Sequence, residues 1–301
     1  MMKYIALIIV FLGFVLPGCK KKEVLEPSVS KIEYKLPQGT NAFDTELVNI
    51  YQNYGSYFLY KFNPAVDFAW VPAAVGTDNL FSTKFSCEQA DEAAVAKVLP
   101  FVQKNWLSLY PDTFLKRTLP FKVLFAKNLK RLVNPNSADY TLSNTGISSG
   151  TFPNTILGYY HITISNFSPA FDAMTTAQKT LFKGDMHIEY WNYMFATGKV
   201  AMATNFASVS NYTLTVSAST MYANGFLDTR AKSQNNPQMY DIRTYVKAIT
   251  NNSKATLDNT ILKPTNDTKG LVKQKYNLVI NYYKTVHNVD LQAIGDAVLV
   301  P

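Results

Sequence analysis

Cysteine and histidine are scarce in this sequence, which limits the metal and redox chemistry that it can support. The 301 residues include two cysteines, Cys19 and Cys87, and three histidines, His161, His187 and His287. Two thiols are too few for a zinc site built from cysteine. If Cys19 is consumed by a covalent modification, Cys87 has no disulfide partner, and we expect it to be a small core residue.

The sequence also lacks long runs of one charge. The formal net charge is +8, but the basic residues are dispersed and the longest basic run covers only 20–22. A basic balance can indicate nucleic acid, anionic lipid or acidic glycan as a partner. No nucleic-acid-binding motif is present. We therefore expect a solvated basic surface and no nucleic-acid partner.

The N-terminus is typical of an export signal. Lys3 precedes an apolar run over 5–16, which is too short to span a bilayer comfortably. The following Leu16-Pro17-Gly18-Cys19 resembles the lipobox of bacterial lipoproteins. The resemblance implies cleavage before Cys19 and acylation of that cysteine with palmitate or similar chains, which would anchor the protein to a membrane. The alternative is an ordinary signal peptide with a chance cysteine.

These features predict three parts of the chain. Residues 1–18 are the signal peptide, 19–39 hold the lipidated Cys19 and a polar, flexible tether, and 40–301 form a single globular domain. We expect the protein at the outer membrane, and the sequence leaves open whether it faces the periplasm or the cell surface.

The body has the hydrophobic spacing of both helices and strands. A few strands lie in the first half and helices dominate the second, which predicts an α+β fold. Thr175 and Gln178 match a capping box, which marks the start of a helix. The predicted helices cover 41–53, 87–110 with a break or kink at Pro100, 175–197, 239–249, 271–286 and 291–298; the predicted strands cover 56–62, 119–126 and 156–167.

A match to the serine-hydrolase motif G-x-S-x-G occurs at 146–150. That motif works when a buried strand enters a tight turn and a helix leaves it. Here the match lies in a Ser/Asn/Gly-rich segment over 134–154 with polar residues before it. We interpret it as a loop and not as a nucleophile.

The segment 183–192 is similar to a damaged H-E-x-x-H motif, in which two histidines one helical turn apart hold zinc and a glutamate acts as general base. Aligning on Glu189 puts Ile188 and Asn192 at the histidine positions. Aligning on His187 puts Trp191 at the second histidine position. Neither alignment supplies a zinc pair, so we expect no metal cofactor.

The order of the segments resembles that of the predicted zinc-binding metallopeptidase lipoproteins of Bacteroidota, of the SusD-associated type encoded near glycan-uptake systems. The matching landmarks are the lipobox, Tyr110-Pro111, Gly158-Tyr159, the damaged metal helix and a C-terminal helix over 272–283. The resemblance implies a zincin-like α+β body with a small sheet in the N-terminal half and a helical C-terminal half. It implies that Glu189 corresponds to the family's general base, as a relict. It also implies that Asp241 corresponds to an acidic residue that the family has further along the chain.

A different metal site could in principle use His161, His187, Glu189 and Asp241. On a helix, however, residues two apart point about 200° away from each other. His187 and Glu189 therefore cannot bind one ion together.

Adjacent aromatic residues are the remaining feature of the metal helix. Exposed Tyr and Trp rings can stack on sugars or bind protein partners. We predict that Tyr190, Trp191 and Tyr193, with Asp241, line a binding cleft; the alternative is that these rings lie at the edge of the core. Tyr159-Tyr160 and Tyr282-Tyr283 are further aromatic pairs.

These observations favour a non-catalytic relative of zinc metallopeptidases that binds peptide or glycan, or assists an outer-membrane uptake complex. Two alternatives remain open. One is an active zinc-dependent peptidase with a non-standard metal site, and the other is a structural lipoprotein with no small ligand.

Overall fold

The computed structural model describes residues 34–68, 85–131 and 153–301. The signal peptide, Cys19, most of the tether and the G-x-S-x-G match lie outside these residues. Lys35–Pro301 forms one compact unit. Within the three described ranges, no helix is both long and apolar enough to cross a membrane.

The sheet of the described residues is small and mixed. Its strands are β1 (Tyr57–Leu59), β2 (Phe85–Gln89), β3 (Lys122–Arg131), β4 (Thr155–Leu157) and β5 (His161–Ile164). Strands β1 and β5 run parallel to β3 on either side of it, and β4 pairs antiparallel with β5 at one edge. Strand β2 pairs antiparallel with the second half of β3.

The helices enclose this sheet and fill the C-terminal half. They are α1 (Ala42–Tyr54), α2 (Glu92–Asn105), α3 (Asp112–Thr118), α4 (Thr176–Ala196), α5 (Pro237–Asn251), α6 (Lys254–Asn259), α7 (Leu271–His287) and α8 (Leu291–Asp296). Between α4 and α5 the chain has short 3-10 turns and no long helix or strand. The predicted α+β class, with a small N-terminal sheet and a helical C-terminal half, is confirmed.

Most predicted helices are confirmed within a few residues. The capping box at α4 is present, since the Thr175 hydroxyl accepts a hydrogen bond from the Gln178 N–H and the Gln178 side chain accepts one from the Thr175 N–H. Gly198, which follows α4, has a left-handed φ of 67°, as expected of a residue that ends a helix.

Two predictions were wrong in detail. The helix predicted over 87–110 begins only at Glu92, because Cys87 belongs to β2, and it runs through Pro100 to Asn105. The single strand predicted over 156–167 is a hairpin of β4 and β5 that turns at Gly158. A β-carbon at Gly158 would lie 1.9 Å from the His161 ring, so this turn requires glycine.

Candidate functional site

Helix α4 carries the motif that the sequence singled out. It packs against strand β4 and helix α5. Buried side chains occur on most of its circumference, among them Phe182, Met186, Tyr190 and Met194. The helix is therefore a central element of the core, and only a narrow part of it can face solvent.

His187 lies inside the core and is fully buried. Its Nε2 is 3.0 Å from the carbonyl oxygen of Asn105, which can only accept, so Nε2 carries the ring proton and donates. Its Nδ1, 2.9 Å from the Tyr110 hydroxyl, then accepts from that hydroxyl. Burial lowers the pKa of His187 to about 3, so the ring is neutral. Both ring nitrogens are occupied by hydrogen bonds, and His187 has none left for a metal.

The same network includes Trp191. Its Nε1 donates to the Tyr110 hydroxyl oxygen at 3.1 Å. The amide of Asn105 also pairs with the backbone of Val300, with Nδ2 donating to the carbonyl at 2.7 Å and Oδ1 accepting from the N–H at 2.9 Å. The network therefore joins α2, α4 and the C-terminal segment through fully satisfied buried polar groups.

The aromatic residues predicted to line a cleft are part of the core. Tyr190 and Trp191 are fully buried and Tyr193 is nearly so. The Tyr190 hydroxyl pairs with the Thr118 hydroxyl, and the Trp191 ring packs on Tyr283 with centroids 4.7 Å apart. In this arrangement a ligand would reach Tyr190 or Trp191 only if the core opened.

The side of α4 that is partly open to solvent holds the two positions where the intact motif has histidines. Ile188 and Asn192 are half-buried. Glu189, between them in sequence, is buried. The backbone N–H of Leu157 on the edge strand β4 and the Asn192 side chain both act to lower the pKa of its carboxyl group. Burial raises the pKa of Glu189 to about 7, and the nearby Asp185 carboxylate adds to the shift.

Asp185 and Glu189 lie one turn apart on α4, and cations of α5 face them. Arg243 acts on Glu189 and Lys247 on Asp185, in each case lowering the pKa of the carboxyl group. Asn154 donates to Asp185 Oδ2 at 2.7 Å. Burial nevertheless raises the pKa of Asp185 above its usual value. Two carboxyl groups of α4 thus lie near two cations of α5 on this face of the motif.

Asp241, the other predicted binding residue, is engaged in a buried ion pair. Its Oδ2 is 2.5 Å from Lys275 Nζ, and both side chains are fully buried. The Tyr212 hydroxyl donates to the same oxygen at 2.8 Å, and Lys275 Nζ also donates to the Gly225 carbonyl at 2.9 Å. The rings around the Lys275 ammonium are those of Phe206, Tyr212, Phe226 and Tyr245, with centroids 4.7 to 5.6 Å from it.

This ion pair holds the irregular segment between α4 and α5 in place. Phe206, Tyr212, Gly225 and Phe226 all belong to that segment, whereas Asp241 is on α5 and Lys275 on α7. Burial raises the pKa of Asp241 and lowers that of Lys275, and the pairing opposes both shifts. Both charged groups of the pair therefore have hydrogen-bond partners within the protein.

His161 is likewise not part of a metal-binding group of side chains among the described residues. It lies on β5, is buried, and its Nε2 has no hydrogen-bond partner among the described residues. Burial lowers its pKa to about 3, and Lys122 contributes to the shift. It contacts the Phe68 ring, with centroids 5.8 Å apart.

The residues present do not fit a zinc ion of the metallopeptidase type. Over 34–68, 85–131 and 153–301, no group of three or more His, Cys, Asp or Glu side chains is arranged to hold a metal. At the two histidine positions of the motif, Ile188 offers an alkyl group and Asn192 an amide. Zinc in proteins is bound by Cys, His and carboxylate side chains.

No protein-family model matches the chain, and no curated protein matches it. Among solved structures, the chain is similar to a crystal structure described as a "putative zinc-binding metallo-peptidase" from Bacteroides caccae. The identity is 16%, the TM-score is 0.49, and the alignment covers 82% of this chain and 86% of that chain. A likeness at this level is not a basis for assigning a function.

Proposed function

We propose that this protein is an exported, membrane-anchored lipoprotein and a non-catalytic relative of zinc metallopeptidases, which acts as a binding or accessory protein in an outer-membrane complex. The observation that supports the loss of catalysis is the pair of residues at the motif's histidine positions. Ile188 and Asn192 are half-buried there, and neither an alkyl group nor an amide is a usual zinc ligand.

The surroundings of Glu189 support the same proposal. A general base of a metallopeptidase acts on a water whose pKa is lowered by the metal. Here Glu189 is buried, which raises the pKa of its carboxyl group, and the cation of Arg243 opposes that shift. The helix α4 that carries Glu189 packs against the edge strand β4, so we propose a structural role for this part of the helix.

Zinc content tests the catalytic part of the proposal. The full-length protein is purified without chelator, incubated with zinc, freed of excess metal, and measured by mass spectrometry of the elements. We expect far less than one zinc per chain. The double variant Ile188→His with Asn192→His restores both imidazoles and is the matched control, for which we expect higher zinc retention. Stoichiometric, tightly held zinc in the unaltered protein would contradict the proposal.

Acylation tests the anchor. We propose that Cys19 carries the acyl chains, since it follows a short apolar leader and a lipobox-like sequence. Cells that express the protein are given labelled palmitate, and the label and the membrane fraction are followed. We expect Cys19→Ser to lose both the label and the membrane association, and Cys87→Ser, the matched control, to retain them. Membrane retention of Cys19→Ser without label would disprove lipid anchoring.

A second candidate function is a peptidase with a non-standard site. It is favoured by the pKa of Glu189, which at about 7 is close to that of an effective general base. It predicts peptide hydrolysis that is lost in Glu189→Ala and retained in Glu46→Ala, which alters an exposed carboxylate of α1. We expect no hydrolysis by the unaltered protein, which would exclude this candidate.

A further inference from the structure

The buried pair of Lys275 and Asp241 joins two helices that are distant in sequence. Lys275 is on α7 and Asp241 is on α5, 34 residues away, and their side chains are 0% and 1% exposed. Lys275 Nζ lies 2.5 Å from Asp241 Oδ2. An amine and a carboxyl group that are held in contact away from bulk water are the two reactants of an amide bond.

Aromatic rings enclose the amine. Ring centroids lie 4.7 to 5.6 Å from Nζ on four residues, Phe206, Tyr212, Phe226 and Tyr245. The rings exclude the water that would otherwise solvate both charges, and a buried ion pair carries a desolvation cost that a neutral group does not. Condensation of the two side chains to an amide would remove both charges.

The protonation states that condensation needs are favoured by the site. The amine must be uncharged to attack, and the carboxyl group must be protonated to lose water. Burial lowers the pKa of Lys275 and raises that of Asp241. Both shifts favour the transfer of one proton from Nζ to the carboxyl group across the contact between them.

The Tyr212 hydroxyl contacts both groups. It donates to Asp241 Oδ2 at 2.8 Å and accepts from Lys275 Nζ at 3.4 Å. A hydroxyl in this position can deliver a proton to the oxygen that leaves and take one from the nitrogen that attacks. The Gly225 carbonyl accepts from Nζ at 2.9 Å and would keep the one N–H that an amide retains.

We propose that Lys275 and Asp241 form an intramolecular isopeptide bond. Nζ attacks Asp241 Cγ and the C–N bond forms, while the bond from Cγ to Oδ2 breaks. Oδ2 leaves as water, with the proton of the carboxyl group and one proton that Tyr212 relays from Nζ, so nothing is oxidised or reduced. The ion pair described above is the state before condensation. The bond links α5 permanently to α7, and it depends neither on the lipid anchor nor on the loss of catalysis.

Tryptic digestion of the denatured full-length protein, followed by mass spectrometry, detects the bond. Trypsin cuts after lysine but not after a lysine whose amine is acylated. We expect Lys275 to stay uncut, and the peptides 233–243 and 274–284 to be recovered as one branched species that is lighter than their sum by one water molecule. Lys275→Met cannot form the bond and should release 233–243 as a separate peptide.

Two variants that replace tyrosine by phenylalanine test the relay. Tyr212→Phe keeps the ring and removes the hydroxyl, so we expect most of the branched species to be lost. Tyr240→Phe is the matched control, because the Tyr240 hydroxyl donates to a different carboxylate, that of Asp228, at the same distance of 2.8 Å. It should leave the amount of branched species unchanged.

Two results would overturn the inference. Recovery of 233–243 and 276–284 as separate peptides from the folded, unaltered protein would show that no bond forms. An undiminished branched species in Tyr212→Phe, with circular dichroism showing that this variant is folded, would exclude the relay. If Tyr212→Phe did not fold, the digest of the unaltered protein would still decide whether the bond exists.

Discussion

Replacing Lys275 with methionine should destabilise the protein severely, because it breaks the most deeply buried ion pair of the described residues. Methionine retains most of the aliphatic stem and its volume, so little apolar burial is lost. What is lost is the contact of Nζ with Asp241 at 2.5 Å and its hydrogen bond to the Gly225 carbonyl at 2.9 Å. Asp241 would then be a buried carboxylate that has lost its cation and keeps the hydrogen bond from the Tyr212 hydroxyl.

The magnitude follows from that uncompensated charge. Removing one partner of a buried pair costs roughly 3–5 kcal/mol. The Gly225 carbonyl keeps the hydrogen bond from the Tyr245 hydroxyl at 3.0 Å, so it adds little to the loss. Asp241 can limit the loss by taking up a proton, so we expect Lys275→Met to lower the free energy of unfolding by roughly 4 kcal/mol. Lys273→Met alters an exposed residue on the same helix and should change the free energy of unfolding by less than about 0.5 kcal/mol.

Urea unfolding followed by far-UV circular dichroism measures these values. The double variant Asp241→Asn with Lys275→Met removes both charges and keeps an acceptor for Tyr212, so we expect it to recover at least half of the loss. If Lys275→Met were as stable as Lys273→Met, the ion pair would have no role in holding the segment between α4 and α5, and the reasoning would be wrong.

Three further predictions concern helix α4. Tyr110→Phe removes the hydroxyl that donates to His187 and accepts from Trp191; we expect a loss of roughly 2–3 kcal/mol in the same urea assay, and an unchanged midpoint would show that the network is dispensable. Glu189 has a folded pKa of about 7 against an ordinary 4.5, so its contribution to stability is fully present below pH 4.5 and is lost as the pH rises through 7, a difference of roughly 3 kcal/mol. The neutral buried histidines change stability in the opposite direction below pH 6.5. The quantity to measure is therefore the difference in free energy of unfolding between the unaltered protein and Glu189→Gln from pH 4.5 to 8. A difference that does not depend on pH would refute the raised pKa of Glu189. Thr175→Ala removes the N-cap of α4 and should lower the free energy of unfolding by roughly 1 kcal/mol. Thr176→Ala, one residue further on, is the control and should lower it by less; equal losses in the two variants would show that the cap is not responsible.

Local patterns predicted the elements of this fold well. The capping box of Thr175 and the apolar spacing after it are properties of consecutive residues, so α4 was predicted nearly to its observed ends. Strand β2 was missed because its five residues are followed directly by a long helical pattern. The hairpin of β4 and β5 was missed because Tyr159 and Tyr160 look like strand residues although the chain reverses there.

The candidate site depended on contacts that no local pattern encodes. Tyr190 and Trp191 could be assigned to a helix, but α4 is apolar on opposite sides, so its spacing did not tell which rings face the core. Asp241 was singled out from the sequence, yet its partner Lys275 is 34 residues away. Likewise, His187 could not be recognised as a core residue until Asn105 and Tyr110 were placed beside it.

The pairing of Asn105 with Val300 has a consequence for how the chain folds. These residues are separated by 195 positions, and Asn105 is also the residue whose carbonyl holds His187. A chain that emerges from the ribosome with its N-terminus first cannot close this contact until the residues around Val300 have emerged. Contacts of such long separation slow folding. The hydrogen-bond network of Asn105 and His187 should thus be completed late in folding, after the segments that carry α2 and α4 are already present.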